Sequence, residues 1–349
     1  METILKWLKA NGYESVLAGV NILVLLLLGL VLGDAFYSIS NMQSMATQVA
    51  EFGLLALAMS LAMLTGGIDL SIVSSAVLAG IVGAEFLTGN IFDLETTDPT
   101  LVMGAAVVAA LLAGLLCGLL NGLLIAKTSI PPILATLGTS IFFTGIGTVI
   151  TGGASLPVRV KAFFQLGVVT VASVPVVFII MVIALILAAI ALKRTRSGRR
   201  IYLYGENSIA LRFTGVRHER LIILLYAVIG LICGIAALIM VSRTASARVG
   251  YGEAYLLQAI LVVVLAGFNP FGGRGKILGL VLALMMLQTL SSAFTIMRYG
   301  PYMKVFIWGA MLLAVMFLNR LMNRNKRATK GDESNDGGKA MVAAEGSPA

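Results

Sequence analysis

The stretch TGGIDLSIVSSAVLAG, residues 65–80, lies between two strongly apolar runs and carries an aspartate, Asp69, just after paired glycines. A carboxylate at bilayer depth is unfavourable by about 2.5–3.5 kcal/mol on insertion scales, so something must compensate for it or use it. The Gly66–Gly67 pair predicts that residues 65–69 form either a tight connection between two helices or a break in one helix within the membrane. A side-chain oxygen of Asp69 would then accept backbone N–H bonds at the start of the second helix, and we favour this capping role over direct contact with a solute.

The composition of the whole chain predicts a membrane protein. Of its 349 residues, 59% are hydrophobic and 12% are charged, whereas soluble domains are about 45–50% apolar and about 25% charged. Apolar runs of the length that crosses a bilayer follow one another along the chain. The predicted spans are residues 16–34, 45–64, 69–88, 101–126, 131–150, 169–192, 221–241, 254–268, 276–295 and 302–319. We therefore predict an all-α polytopic membrane protein with about ten transmembrane helices, the first of them uncleaved.

The distribution of basic residues orients these spans. With the amino terminus inside, 19 of the 25 lysine and arginine residues fall in cytoplasmic segments, as the positive-inside rule expects. Residues 1–15 and 320–349 are then cytoplasmic, and residues 16–319 form the transmembrane domain. The polar tail is expected to be disordered and to approach anionic lipid headgroups. Because topology accounts for the net charge of +9, no nucleic-acid partner is expected.

Polar side chains within the spans suggest where a solute would pass. The set is Thr65, Asp69, Ser71, Ser74, Ser75, Asn121, Gln258, Gln288, Ser291 and Ser292. Neutral hydroxyl and amide groups suit a hydrated path for an uncharged polar solute, and they serve equally well in hydrogen bonds between helices. No ladder of buried carboxylates or arginines, such as ion-coupled pumps use, is visible. Two cysteines and one histidine give no pattern for a metal site, so neither a metal nor a cofactor is expected.

Small residues recur at four-residue spacing in two spans. Gly114, Gly118 and Gly122 fall on one helix face, and Gly230 and Gly234 do the same in a later span. Such faces allow helix backbones to approach closely in membranes. The approach can occur within the chain or at an interface between subunits.

The basic segment KRTRSGRRIYLYGENSIALRFTGVRHER, residues 193–220, predicts a short amphipathic helix. Glu206 and Asn207 can cap it, Gly215 can end it, and Ile209 and Phe213 lie one turn apart on one face. In a chain with almost no soluble mass, this helix is expected to dock on a cytoplasmic partner. An interfacial helix that lies on lipid headgroups is the alternative.

The glycine-rich stretch LAGFNPFGGRGKILG, residues 265–279, includes a Gly–Lys pair but is not a phosphate loop. Pro270 stands where a P-loop requires its first glycine, and Ile277 stands where it requires serine or threonine. If ATP drives transport, another polypeptide must hydrolyse it.

Four motifs, taken together and in order, resemble the membrane permeases of bacterial ABC importers of the ribose, galactose and autoinducer-2 type. They are TGGIDLS (65–71), IPPILATLGT (130–139) with TGG (151–153), SGRRIYLYGENSIALRFTGV (197–216) and AGFNPFGGRGKILG (266–279). The resemblance covers most of residues 45–320, and its first motif is specific for this family.

The resemblance implies a fold similar to that of the cobalamin importer and a set of partners. These are two cytoplasmic ATPase subunits, a periplasmic solute-binding protein and a second permease subunit, identical or paralogous. The implied function is import of a simple sugar or sugar-like solute across the bacterial inner membrane, with no enzymatic activity in this chain. The implied coupling residues are Glu206, Asn207, Ile209, Leu211, Phe213 and Gly215. Candidates for the translocation path or the broken helix are Thr65, Gly66, Gly67, Asp69, Ser71, Asn121 and Gln288.

Departures from the family pattern leave the cargo open among pentoses, hexoses, polyols and autoinducer-2. Ile72, Val73 and Ser74 follow GIDLS where the family usually has Val-Gly-Ser. An ABC permease for a cofactor or a metal chelate is one alternative, and it would need a wide path lined by methionine or aromatic residues. A stand-alone secondary transporter is another, and it would need coupling-ion sites in its broken helices and no docking loop.

Overall fold

The computed structural model of the chain describes residues 12–128, 130–300, 302–314 and 317. In chain order its helices there are α1 (Gly12–Leu32), α2 (Asp34–Tyr37), α3 (Ile39–Leu64), α4 (Ile72–Leu87), α5 (Pro99–Thr128), α6 (Pro132–Thr151), α7 (Lys161–Leu166), α8 (Val176–Arg194), α9 (Arg196–Glu206), α10 (Ser208–Phe213), α11 (His218–Thr244), α12 (Glu253–Leu265), α13 (Ile277–Ile296) and α14 (Tyr302–Ala314). Seven helices in these ranges, α1, α3, α5, α6, α8, α11 and α13, are long and apolar enough to cross a membrane. The predicted helical, polytopic architecture is therefore confirmed.

Two short antiparallel ribbons interrupt the helices. Strand β1 (Leu156–Pro157) pairs with β4 (Ser246–Ala247), and β2 (Thr170–Val171) pairs with β3 (Val174–Pro175). The second ribbon corrects the predicted sixth span, because residues 169–175 form a hairpin and the helix begins only at Val176. Apolar residues favour strands as well as helices, so hydropathy alone did not separate the two.

The first helix begins earlier than predicted because polar contacts anchor its first turn. The Tyr13 hydroxyl donates to the Leu265 carbonyl at 2.7 Å, and Lys276 Nζ lies 2.8 Å from Glu14 Oε1. Residues 12–15, predicted to be part of the cytoplasmic terminus, thus belong to α1. The remainder of that terminus and the predicted tail, residues 320–349, lie outside the described residues.

Helices α3 and α11 form the centre of the bundle, and α5 packs closely along α11. A Cβ atom on Gly118 would meet the Tyr226 carbonyl, and one on Gly230 would meet the Gly114 carbonyl. The two small-residue faces predicted from sequence therefore face each other within the chain. Their spacing serves packing between α5 and α11, where the absence of side chains lets the backbones approach.

The break predicted at the paired glycines lies between α3 and α4. Helix α3 ends at Leu64, α4 begins at Ile72, and residues 65–71 form no helix. The Thr65 hydroxyl donates to the Ala62 carbonyl at 2.7 Å and closes the last turn of α3. Gly66 has a φ of 78°, a left-handed conformation that glycine adopts without strain. The chain can therefore turn directly after α3 and begin a second helix in a new direction.

Candidate functional site

Three of the four motifs quoted above meet through their backbones at one end of the bundle. The Gly273 N–H donates to the Leu64 carbonyl at 3.0 Å, and a Cβ on Gly205 would collide with both groups. A Cβ on Gly272 would lie 2.7 Å from the Gly205 carbonyl and 2.8 Å from the Gly66 nitrogen. We call Leu64, Gly66, Gly205, Gly272 and Gly273 the glycine junction. It joins the helix break, the basic segment and the glycine-rich stretch, which sequence analysis treated separately.

The fourth motif reaches the same region from α6. A Cβ on Gly67 would lie 2.9 Å from Pro132 Cβ, so α6 begins against the helix break. The Leu70 N–H donates to Thr136 Oγ1 at 3.0 Å. The first turn of α6 thus fixes the chain immediately before α4.

The basic segment folds as two helices, and α10 is the shorter one. Asn207 Oδ1 accepts the Ala210 N–H at 2.9 Å, as a capping residue does. Glu206 is exposed and is the last residue of α9, which corrects its predicted role as a cap of the short helix. Gly215, with φ of 74°, lies just beyond the end of α10. Only Asn207 can cap α10, because α9 continues to Glu206 and a single residue is left between the two helices.

Helix α10 presents apolar side chains outward. Ile209 is 67% exposed and Phe213 is 88% exposed, whereas Leu211 is buried and anchors the helix. Phe271, at the tip of the turn that enters the glycine junction, is 87% exposed as well. Its N–H donates to Asn269 Oδ1 at 3.1 Å, so the turn holds its shape. Sequence analysis missed Phe271 because it examined this stretch only as a possible phosphate loop.

Helix α9 is attached to the same turn by a side chain. The Tyr202 hydroxyl donates to the Gly275 carbonyl at 2.8 Å. Burial raises the pKa of Tyr202 above its ordinary value, so the phenol keeps its proton and remains a donor. The bond adds a second link between the basic segment and the glycine-rich stretch.

Asp69 is buried and organises the start of α4. Its Oδ1 accepts the Ser71 N–H at 2.8 Å and the Ser71 hydroxyl at 2.7 Å. Asn121 Nδ2, on α5, donates to the same hydroxyl at 2.7 Å. Asp69 thus accepts a backbone N–H as expected, but Ser71 rather than Asp69 occupies the N-cap position of α4. Gln288 is not part of this group, since it donates to Gln48 Oε1 at 3.5 Å between α13 and α3.

A cavity of about 240 Å³ lies between α4, α6 and the turn before α12. Leu70, the residue after Asp69, is part of its lining. Its polar lining residues are Ser74, Ser140, Thr144, Tyr251 and Glu253, and its other lining residues are Leu70, Val73, Val77, Val249, Gly250 and Leu256. The Ser74 hydroxyl donates to Ser140 Oγ at 3.2 Å. Asp69, Ser71 and Asn121 lie behind this wall and do not line it. The structure therefore separates the residues that build the helix break from those that face open space.

The hydroxyl face of α6 could have been found in the sequence. Thr136, Ser140 and Thr144 recur every four residues in IPPILATLGTSIFFTGIG, so they share one face of a helix. Sequence analysis used this stretch only as a family motif.

Among the described residues, no group of three or more His, Cys, Asp and Glu side chains is arranged to hold a metal ion.

Comparison with known proteins identifies the class of this chain. The family model described as "Branched-chain amino acid transport system / permease component" matches residues 41–316. The chain belongs to this permease family. The resemblance inferred from the four motifs is thereby confirmed, and the permease is a multi-pass protein of the bacterial inner membrane.

Curated relatives of the permease extend over most of its length. The ribose import permease protein RbsC of Bacillus subtilis (strain 168) is 34% identical over 304 residues, which cover 85% of this chain and 90% of the relative. RbsC of Escherichia coli (strain K12) is 30% identical, with 86% and 92% covered. The autoinducer 2 import system permease protein LsrD of Yersinia enterocolitica serotype O:8 / biotype 1B is 32% identical, with 82% and 88% covered. No solved structure matches the permease.

The permease also contains a buried ion pair that sequence analysis missed. Arg243 Nε, in the last turn of α11, lies 2.8 Å from Glu51 Oε2 in the middle of α3, and the Glu51 side chain is fully buried. Arg243 also donates to the Tyr251 hydroxyl at 3.4 Å. Burial and the nearby Glu51 carboxylate raise the pKa of Tyr251, so its phenol stays protonated. The signal available was Glu51, a lone carboxylate inside the second predicted span. Its partner Arg243 follows the seventh predicted span, so spacing could not predict the pair.

Proposed function

We propose that this permease is the membrane-spanning subunit of an ATP-driven importer for a simple sugar or a sugar-like solute. The observation that carries the proposal is the glycine junction, which connects an exposed apolar surface directly to the helix break beside a hydroxyl-lined cavity. The import permeases for ribose and autoinducer 2 named above support the same function. In this proposal the chain performs no covalent chemistry, and a separate ATPase supplies the energy.

The exposed side chains of Ile209, Phe213 and Phe271 form the proposed docking surface for the ATPase. Asn207 and Leu211 hold α10 in place, and Glu206 and Gly215 flank it. Apolar side chains of this size are unfavourable in water, and a partner would remove them from it. A displacement of α10 by the ATPase would be transmitted through α9 to the glycine junction and then to α4.

In the proposed topology both termini are cytoplasmic and the glycine junction faces the cytoplasm. The three shorter apolar helices α4, α12 and α14 would complete ten crossings, as in the cobalamin-importer type of permease. Helix α4 has 16 residues and a length of about 24 Å at 1.5 Å per residue. With the non-helical residues before it, this segment approaches the thickness of the hydrocarbon core, about 30 Å.

The cavity beside α4 is the proposed solute site. Its hydroxyl groups, Ser74, Ser140 and Thr144, can exchange hydrogen bonds with a polyhydroxylated solute, and Glu253 can accept them. The lining residues Thr144 and Glu253 are exposed in the single subunit. A second permease subunit would close the site from that side, and a periplasmic binding protein would deliver the solute.

ATPase stimulation in a reconstituted complex tests this function. The permease is placed in liposomes with the ATPase and the binding protein encoded beside it, and hydrolysis is measured with pentoses, hexoses, polyols and autoinducer-2. One compound should raise the rate several-fold over the basal rate. A flat response from an assembled complex would exclude the sugar assignment, and failure of the ATPase to bind would exclude the ABC mechanism.

Variants of Phe213 test the docking surface within the same assay. Because Phe213 is 88% exposed, Phe213→Glu should leave the permease folded but reduce solute-stimulated hydrolysis about tenfold or more. Phe213→Leu, which keeps an apolar side chain, is the matched control and should retain most of the stimulation. Equal activity of the two variants would remove α10 from the docking surface.

A further inference from the structure

The turn between β4 and α12 places one tyrosine against the cavity without a helix to hold it. Tyr251 lies between Gly250 and Gly252, and both glycines adopt left-handed conformations, with φ of 82° and 74°. Glycine allows many backbone conformations, so a residue between two glycines is weakly constrained by its own backbone. Tyr251 nevertheless lines the cavity of about 240 Å³. Its position must therefore come from side-chain contacts.

The Glu51–Arg243 ion pair supplies these contacts. Glu51 Oε2 lies 2.8 Å from Arg243 Nε, and Arg243 in turn donates to the Tyr251 hydroxyl at 3.4 Å. The two tyrosine rings also meet edge to face, with centroids 6.4 Å apart. The pair thus reaches, through Arg243, the phenol group of a residue that lines the cavity.

A buried ion pair of this kind is weak evidence for a role in stability alone. Removing two charges from water costs about as much as their attraction returns, and apolar residues often replace such pairs without loss of stability. The Glu51 side chain is fully buried and Arg243 is 28% exposed. Buried, hydrogen-bonded charges do, however, fix geometry well, because each has few alternative partners.

We propose that the Glu51–Arg243 pair positions Tyr251 as a wall of the solute site and thereby sets the affinity of that site for its solute. The aromatic ring would lie on one side of a sugar ring, opposite the hydroxyl face of α6. Glu51 and Arg243 are positioning residues in this proposal, because neither of them lines the cavity. The inference rests on the proposed function, since it treats the cavity as the solute site.

Direct binding of D-ribose to the permease in nanodiscs tests the proposal without ATPase or binding protein. The dissociation constant is measured by saturation-transfer NMR titration for the unmodified permease and for Tyr251→Phe, Glu51→Gln and the double variant. Each single variant should weaken binding about fivefold, the effect of one lost hydrogen bond. The double variant should be no weaker than the singles, because Glu51 acts through Tyr251.

Tyr255→Phe is the matched control. Tyr255 packs edge to face against Tyr251 but does not line the cavity, so this variant should bind D-ribose as the unmodified permease does. Thermal unfolding of every variant separates weaker binding from loss of fold. If Glu51→Gln fails to fold, the comparison of Tyr251→Phe with Tyr255→Phe tests the proposal without it. Equal effects of Tyr251→Phe and Tyr255→Phe, additive effects in the double variant, or no binding to the unmodified permease would overturn the proposal.

The two proposals fail in different experiments. Loss of ATPase stimulation with D-ribose binding intact would contradict the ATP-driven mechanism and leave the role of Tyr251 standing. Stimulation by D-ribose together with unchanged binding in Tyr251→Phe would contradict the positioning role and leave the importer standing.

Discussion

At the scale of single residues, the chain uses charged groups inside the membrane as hydrogen-bond acceptors and as a pair. Asp69 accepts two bonds from Ser71, and Glu51 pairs with Arg243 at 2.8 Å. The sequence allowed the first arrangement to be predicted, because paired glycines followed by an aspartate suggest a helix start within a few residues. The second joins residues 192 positions apart, and local spacing carries no information about such a contact.

Replacement of Asp69 separates its role as an acceptor from its charge. Asp69→Asn keeps a side-chain oxygen for the Ser71 N–H, whereas Asp69→Leu leaves that buried donor without a partner. An unsatisfied buried donor costs about 1–3 kcal/mol. Asp69→Leu should therefore lower the unfolding temperature and the uptake rate strongly, and Asp69→Asn should lower them only slightly. The measurement is thermal unfolding in detergent beside uptake in liposomes; equally poor variants would show that the charge itself matters.

At the scale of elements, the helix break and the basic segment are in direct contact at the glycine junction. Sequence analysis identified α10, the break and the small-residue faces, because caps, glycines and four-residue spacing are local signals. It did not predict that Gly205 and Gly272 would bring the segments into contact. It also assigned residues 169–175 to a helix, since apolar residues in a tight hairpin have the hydropathy of a span.

Gly205→Ala tests the contact between these elements. Its Cβ would collide with the Leu64 carbonyl and the Gly273 nitrogen, so α9 would have to move away from the end of α3. We expect a loss of stability of about 1–3 kcal/mol, as for overpacking elsewhere, together with loss of solute-stimulated ATP hydrolysis. Gly104→Ala is the control: this helical glycine has open space at its Cβ, and alanine there should stabilise α5 slightly. Unchanged stimulation in Gly205→Ala would argue against transmission through the glycine junction.

At the scale of the whole molecule, the basic residues predict the orientation of the permease in the membrane. The two cysteines, Cys117 and Cys233, are buried, so single added cysteines can be labelled selectively in the natural background. Phe213→Cys should react with an impermeant maleimide in inside-out vesicles and not in intact spheroplasts. Ile91→Cys, exposed between α4 and α5, should show the opposite pattern. The same side for both residues would refute the predicted topology.

The glycine junction has a mechanical consequence. Backbone atoms meet there directly, so no flexible side chain can absorb a small displacement of α9 by changing its rotamer. The molecule is therefore stiff at the point where a partner's work would enter. A few residues later, positions 67–70 belong to no helix, yet Gly67 and Leu70 are held against the start of α6. A displacement of α9 would therefore be passed on to both α4 and α6, the two helices whose serines, Ser74 and Ser140, meet at the lining of the cavity.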